Sequence, residues 1–68
     1  MIYHLMCLWS SGVSKGYWVD ATNEDTVRAW AAQRFPEAEV ERIDTGWATD
    51  WSGTDRSWPP TGAVVHKA

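Results

Sequence analysis

The run Tyr17-Trp18-Val19-Asp20-Ala21-Thr22-Asn23-Glu24-Asp25-Thr26-Val27-Arg28-Ala29-Trp30-Ala31 is where the period of the chain changes. Its first five residues alternate, with Tyr17, Val19 and Ala21 on one side and Trp18 and Asp20 on the other, as a strand requires. The second half does not alternate. Val27, Trp30, Ala31 and, further on, Phe35 stand at i, i+3, i+4 and i+8, one stripe of a helix, while Glu24 and Arg28 form an outward pair four residues apart. Thr22 offers its hydroxyl as the cap, and the acids Glu24 and Asp25 sit in the first turn, where the positive end of the helix dipole favours them. Pro36 forbids continuation. The spacing therefore predicts a strand over 17–21 and a helix from Asn23 to about Phe35, about 18 Å long at 1.5 Å per residue.

Outward from this stretch, Ile2 to Trp9 is almost unbroken apolar and aromatic character, interrupted by His4, and reads as a strand covered on both faces. Ser10 to Gly16 reads as the hairpin loop between the two strands. Beyond Pro36, Ala38-Glu39-Val40-Glu41-Arg42-Ile43-Asp44 reads as a third strand whose phase changes between Val40 and Ile43; these two cannot both face the helix without a bulge or bend. Thr45 to Gly62 is Gly, Ser, Thr, Asp and Pro punctuated by Trp47, Trp51 and Trp58. Linkers avoid exposed indole, so this segment is expected to be pinned against the domain or to order on binding. Trp58-Pro59-Pro60 reads as a stiff reversal before Ala63-Val64-Val65-His66, which has the length of a short fourth strand.

The expected fold is α+β: one domain over residues 1–68, a small antiparallel sheet in strand-strand-helix-strand order with one helix packed on one face. Residues 45–62 form its irregular Trp-rich segment. Such a design leaves the other sheet face bare, with Trp18 on it. A Trp-rich tail, a second copy or a target protein must cover that face.

Composition narrows the function. A chain of 68 residues buries only about 60% of the surface its unfolded form exposes, and its single cysteine, Cys7, cannot form an internal disulfide. Nine acids against six bases give a formal charge of -3, which argues against a phosphate-binding face; between Glu37 and Asp55 there are six acids and one base, Arg42. No apolar run reaches the roughly 18 residues of a membrane span, and the first residues lack a basic leader, so a cytoplasmic location is expected. Six tryptophans, at 9, 18, 30, 47, 51 and 58, exceed what so small a core uses. Trp30 is expected to anchor the core beneath the helix.

Candidate chemistries fare less well. Asp44-Thr45-Gly46 matches the aspartic-protease tripeptide, whose chemistry needs two carboxylates at the floor of a cleft between lobes; a strand end followed by a turn glycine accounts for it here. His4, Cys7 and His66 have metal-ligand side chains, yet positions 4 and 7 of one strand point to opposite faces. Ser10 and Ser11 have no positioned base, and Gly12, Lys15 and Gly16 do not form a phosphate-loop pattern. The expectation is a non-enzyme with no cofactor and no metal. Aromatics on an open sheet also suit single-stranded nucleic acid, but Lys15, Arg28, Arg34, Arg42, Arg56 and Lys67 are scattered rather than lining a groove.

The run Tyr17-Trp18-Val19-Asp20-Ala21-Thr22, the acid-started helix with Trp30, and Val40-Glu41-Arg42-Ile43 resemble the strand, helix, strand segment of small phage-encoded inhibitor proteins, notably the podophage inhibitor of bacterial RNA polymerase. Several anti-CRISPR proteins are similar in size and element order. The resemblance covers about 27 residues, counted over 17–43. It implies a small non-catalytic protein that occludes a functional surface of a host complex, a defence nuclease complex or RNA polymerase. In the polymerase inhibitor, basic residues of the sheet and loop meet an acidic target, whereas the third strand here carries Glu39 and Glu41. The residues expected to contact a partner are Trp18, Glu39, Glu41, Trp47, Asp50, Trp51, Asp55, Arg56 and Trp58, since Trp and Arg are enriched at binding hot spots and the acids supply a rim. The alternatives are a single-stranded nucleic-acid binder and a structural homodimer.

Overall fold

A computed structural model describes residues 1–46 and 57–68. Its elements follow in the order β1 (Ile2–Trp9), β2 (Ser14–Asp20), α1 (Glu24–Arg34), β3 (Ala38–Asp44) and β4 (Val65–Lys67). They form one helix and a four-stranded sheet in the order β3-β1-β2-β4. The fold is α+β, with the expected strand order. β1 is antiparallel to β2 and β3, so β2 and β3 run the same way on either side of it, joined by α1. The fourth strand exists, two residues beyond its expected start, and it pairs with β2 in parallel, which makes the sheet mixed. No helix among the described residues is long and apolar enough to cross a membrane.

The β1–β2 hairpin is tighter than its composition suggests. Ser14, Lys15 and Gly16 belong to β2, opposite Leu8, Cys7 and Met6. Trp9 N–H donates to the Val13 carbonyl at 2.8 Å and Gly12 N–H to the Trp9 carbonyl at 2.9 Å, with Gly12 at φ 90°, a conformation that favours glycine. Gly16 can stay in the ladder because neighbouring side chains use its vacant space. A β-carbon there would stand 2.8 Å from His4 Nε2 and 3.1 Å from the Met6 sulfur.

The cap of α1 is Asn23 rather than Thr22. The carboxamide oxygen of Asn23 accepts from both the backbone N–H and the hydroxyl of Thr26, each at 2.9 Å, which places the cap three residues before its donor. The Thr22 hydroxyl lies 3.4 Å from that of Thr26. At the other end Phe35 closes the helix, its N–H donating to the Ala31 carbonyl at 2.7 Å, with Arg34 in the last turn. The Glu24–Arg28 pair forms at 3.7 Å on the exposed face, a contribution of no more than a few tenths of a kcal/mol, roughly.

The phase change in β3 resolves as a bulge. Against the single step from Met6 to Cys7, β3 takes two, from Arg42 to Val40, so Glu41 is the inserted residue. Val40 opposite Cys7 and Ile43 opposite Leu5 then both turn towards α1 and join the core. That core consists of Tyr3, Leu5 and Cys7 from β1, Val19 from β2, Ala21, and Val27, Trp30 and Ala31 from α1. Aromatic rings close its end: Tyr17 stacks on Phe35 at 4.8 Å, and Trp30 meets Phe35 at 5.7 Å, Tyr17 at 6.2 Å and His66 at 5.3 Å.

Cys7 is 1% exposed, and burial pushes its thiol up from the ordinary range. The folded chain should therefore react with a thiol-specific disulfide reagent much more slowly than the chain in denaturant. Equal rates would show that position 7 is open to solvent. The sign of the linked pH effect follows. The unfolded thiol ionises first, so stability is complete below the ordinary thiol pKa and declines as pH rises through the folded value.

Candidate functional site

Two surfaces are built by this arrangement, one on the sheet face opposite α1 and one at the hairpin end of the sheet. The first is already partly roofed. His4 and Trp18 are cross-strand partners on that face, with ring centroids 4.5 Å apart. Trp58, arriving from the far side of the chain, sets its ring edge-on to Trp18 at 4.6 Å and to His4 at 6.5 Å. Its indole N–H donates to the Ile2 carbonyl at 2.8 Å. Ile2 lies beyond the last pair of the β1–β3 ladder, His4 with Asp44, so this donor occupies the place where a β3 neighbour would have stood. Ser57 bonds the Pro59 carbonyl at 2.8 Å, and Ala63 N–H the Pro60 carbonyl at 3.0 Å, turning the chain into β4.

Trp18 lies on the face expected of it, but it is only 9% exposed. Its ring is engaged by His4 and Trp58. Trp58 is half-buried, with both its N–H and its ring used within the chain. Trp47, Asp50, Trp51, Asp55 and Arg56 lie outside the described residues.

The second surface lies where β1 ends and β3 begins. A pocket of about 310 Å³ is lined by Leu8, Trp9, Ser10, Gly12, Glu37 and Glu39. Strand pairing fixes its walls, because Leu8 is the partner of Glu39 and Trp9 of Ala38. Trp9 is held by the hairpin hydrogen bonds on one side and by the edge-to-face contact with Phe35, 5.6 Å away, on the other. Glu37, Glu39 and Glu41 are all exposed along this edge. Among the described residues the ion pairs involve Asp20, Glu24 and Asp44, so none of these three glutamates has a cation of its own. Arg42, the base closest in sequence, has its Nε 3.0 Å from Asp44 Oδ2.

The expected rim residues Glu39 and Glu41 thus share one sheet edge, with Glu41 at the bulge and Glu39 in the pocket wall. Reasoning from sequence misses Trp9 and Glu37 as their companions. Neither has a local signal; only the antiparallel pairing of β3 with β1 brings positions 9 and 37 together. Asp44 of the protease-like tripeptide ends β3 in its contact with Arg42. His4 lies on the roofed face, whereas Cys7 and His66 lie on the helix side. The chain matches no family model, no curated protein and no solved structure.

Proposed function

We propose that this chain is a small non-catalytic protein-binding module of the inhibitor type, which docks on a functional surface of a larger host complex through the acidic edge of its sheet. The observation that carries this reading is the row Glu37, Glu39 and Glu41 on an exposed edge, without counter-ions among the described residues and beside a pocket walled by Trp9. Uncompensated charge of one sign on a rigid edge steers a partner of opposite sign and sets register, while a partly exposed indole supplies contact area. Support comes also from the spent aromatic face: Trp18, engaged by His4 and Trp58, has no open ring face to offer a nucleic-acid base.

Charge reversal tests the proposal. The wild-type chain, immobilised and exposed to host-cell lysate, should retain a stoichiometric protein complex identifiable by mass spectrometry. The double variant Glu39→Lys with Glu41→Lys should lose that same complex while keeping its amide dispersion, since both side chains are exposed. Recovery of background proteins alone, or equal recovery by the double variant, would overturn the reading.

A further inference from the structure

We infer that the pocket at the hairpin end of the sheet takes the side chain of an arginine presented by the partner protein. The inference rests on the protein-binding reading above and adds to it the chemistry of the anchor. The pocket's 310 Å³ corresponds to roughly ten waters at their share of liquid volume, room for one long side chain and too little for a helix. Its lining is divided in kind. Leu8 and Trp9 are apolar, with Trp9 packed against the core, Ser10 and Gly12 are the hairpin turn, and Glu37 and Glu39 are carboxylates.

An arginine matches each part of that lining. Its methylene stem lies on Leu8 and the indole, as such stems do on apolar surface. The planar guanidinium stacks on an indole face and donates in a fork to carboxylate oxygens. An apolar guest would instead strip water from two ionised carboxylates without replacing their hydrogen bonds, a costly exchange. An acidic guest would meet repulsion from Glu37, Glu39 and Glu41. Lysine offers a point charge without the plane, so it fits less well. The site is also preorganised: the hairpin hydrogen bonds fix Trp9, strand pairing fixes Glu39 against Leu8, and the turn at Ala38, whose N–H donates to the Phe35 carbonyl at 3.0 Å, positions Glu37.

The experiment is a titration of the ¹⁵N-labelled full chain, followed by amide and indole NMR shifts, with the blocked tripeptide acetyl-Gly-Arg-Gly-amide. Its analogues carrying citrulline or lysine serve as comparisons. Saturable shifts are expected at Leu8, the Trp9 indole, Ser10, Gly12, Glu37 and Glu39. Citrulline, of the same shape but uncharged, should produce none, and lysine should bind several-fold more weakly. The variant Glu37→Gln with Glu39→Gln should raise Kd by at least about tenfold with its amide dispersion retained. Absence of shifts at millimolar peptide, equal binding of citrulline, or undiminished affinity in the double variant would overturn the inference. The lysate experiment separates the two ideas. A wild-type chain that retains a complex yet ignores the tripeptide keeps its function and loses its arginine anchor, whereas one that binds the tripeptide and retains no protein keeps the anchor and loses the function.

Discussion

Trp30→Ala should leave the chain without a cooperative fold at room temperature. Trp30 is 7% exposed and touches Tyr17, Phe35 and His66, with the Arg34 guanidinium 5.2 Å above its ring. Truncating so large a buried side chain costs about 3–5 kcal/mol. The whole domain, at about 0.05–0.15 kcal/mol per residue, has roughly 3–10 kcal/mol to lose. The loss comes from packing and the cation-π contact, because Trp30 Nε1 is buried without a hydrogen-bond partner among the described residues. Trp30→Phe, which keeps a ring and removes that orphaned donor, should accordingly cost only about 1–2 kcal/mol. Circular dichroism melting and amide dispersion decide between the outcomes. A sharp thermal transition in Trp30→Ala would mean that the core closes without its largest member.

The second large effect belongs to Trp58. Its replacement by Ala removes the indole from Trp18 and His4 and the donor from the Ile2 carbonyl, and should cost about 2 kcal/mol, below the fully buried case because Trp58 is half-exposed. For a domain of this size each kcal/mol moves Tm by about 4–8 °C, so a fall of roughly 8–16 °C is expected. Trp58→Phe keeps the ring contacts and loses the hydrogen bond, with about half that effect. An unchanged Tm in Trp58→Ala, accompanied by loss of the retained complex, would reassign this indole from the sheet to the partner.

Much of the architecture was legible because it rests on local periodicity. The change from alternation to helical spacing after Ala21 located β2 and α1, and Pro36 located the helix end to within a residue. The phase conflict between Val40 and Ile43 required a bulge or a bend, and a bulge is there. What escaped depends on contacts distant in sequence. Gly16 has the look of a loop residue, and only the packing of His4 and Met6 over it explains its place in β2. Asn23 displaces Thr22 as cap because a carboxamide oxygen reaches the Thr26 N–H from that position, a choice that composition leaves open. The parallel sense of β4 depends on which sheet edge the chain reaches, and no local pattern encodes that. The same holds for the candidate site: Glu39 and Glu41 are conspicuous as acids in a strand, but Trp9 becomes their neighbour only through the β1–β3 register.

The bulge at Glu41 also uncouples two halves of one strand. On its N-terminal side, β3 gives Glu39 to the pocket; on its C-terminal side, Arg42 and Asp44 face the roofed surface beside Met6 and His4. In a regular strand the side-chain orientation of either half would dictate that of the other, and a substitution suiting one surface would constrain its neighbour. Here the inserted residue acts as a phase joint. The acidic edge and the covered face meet at this joint, with Val40 and Ile43 keeping both tied to the same core.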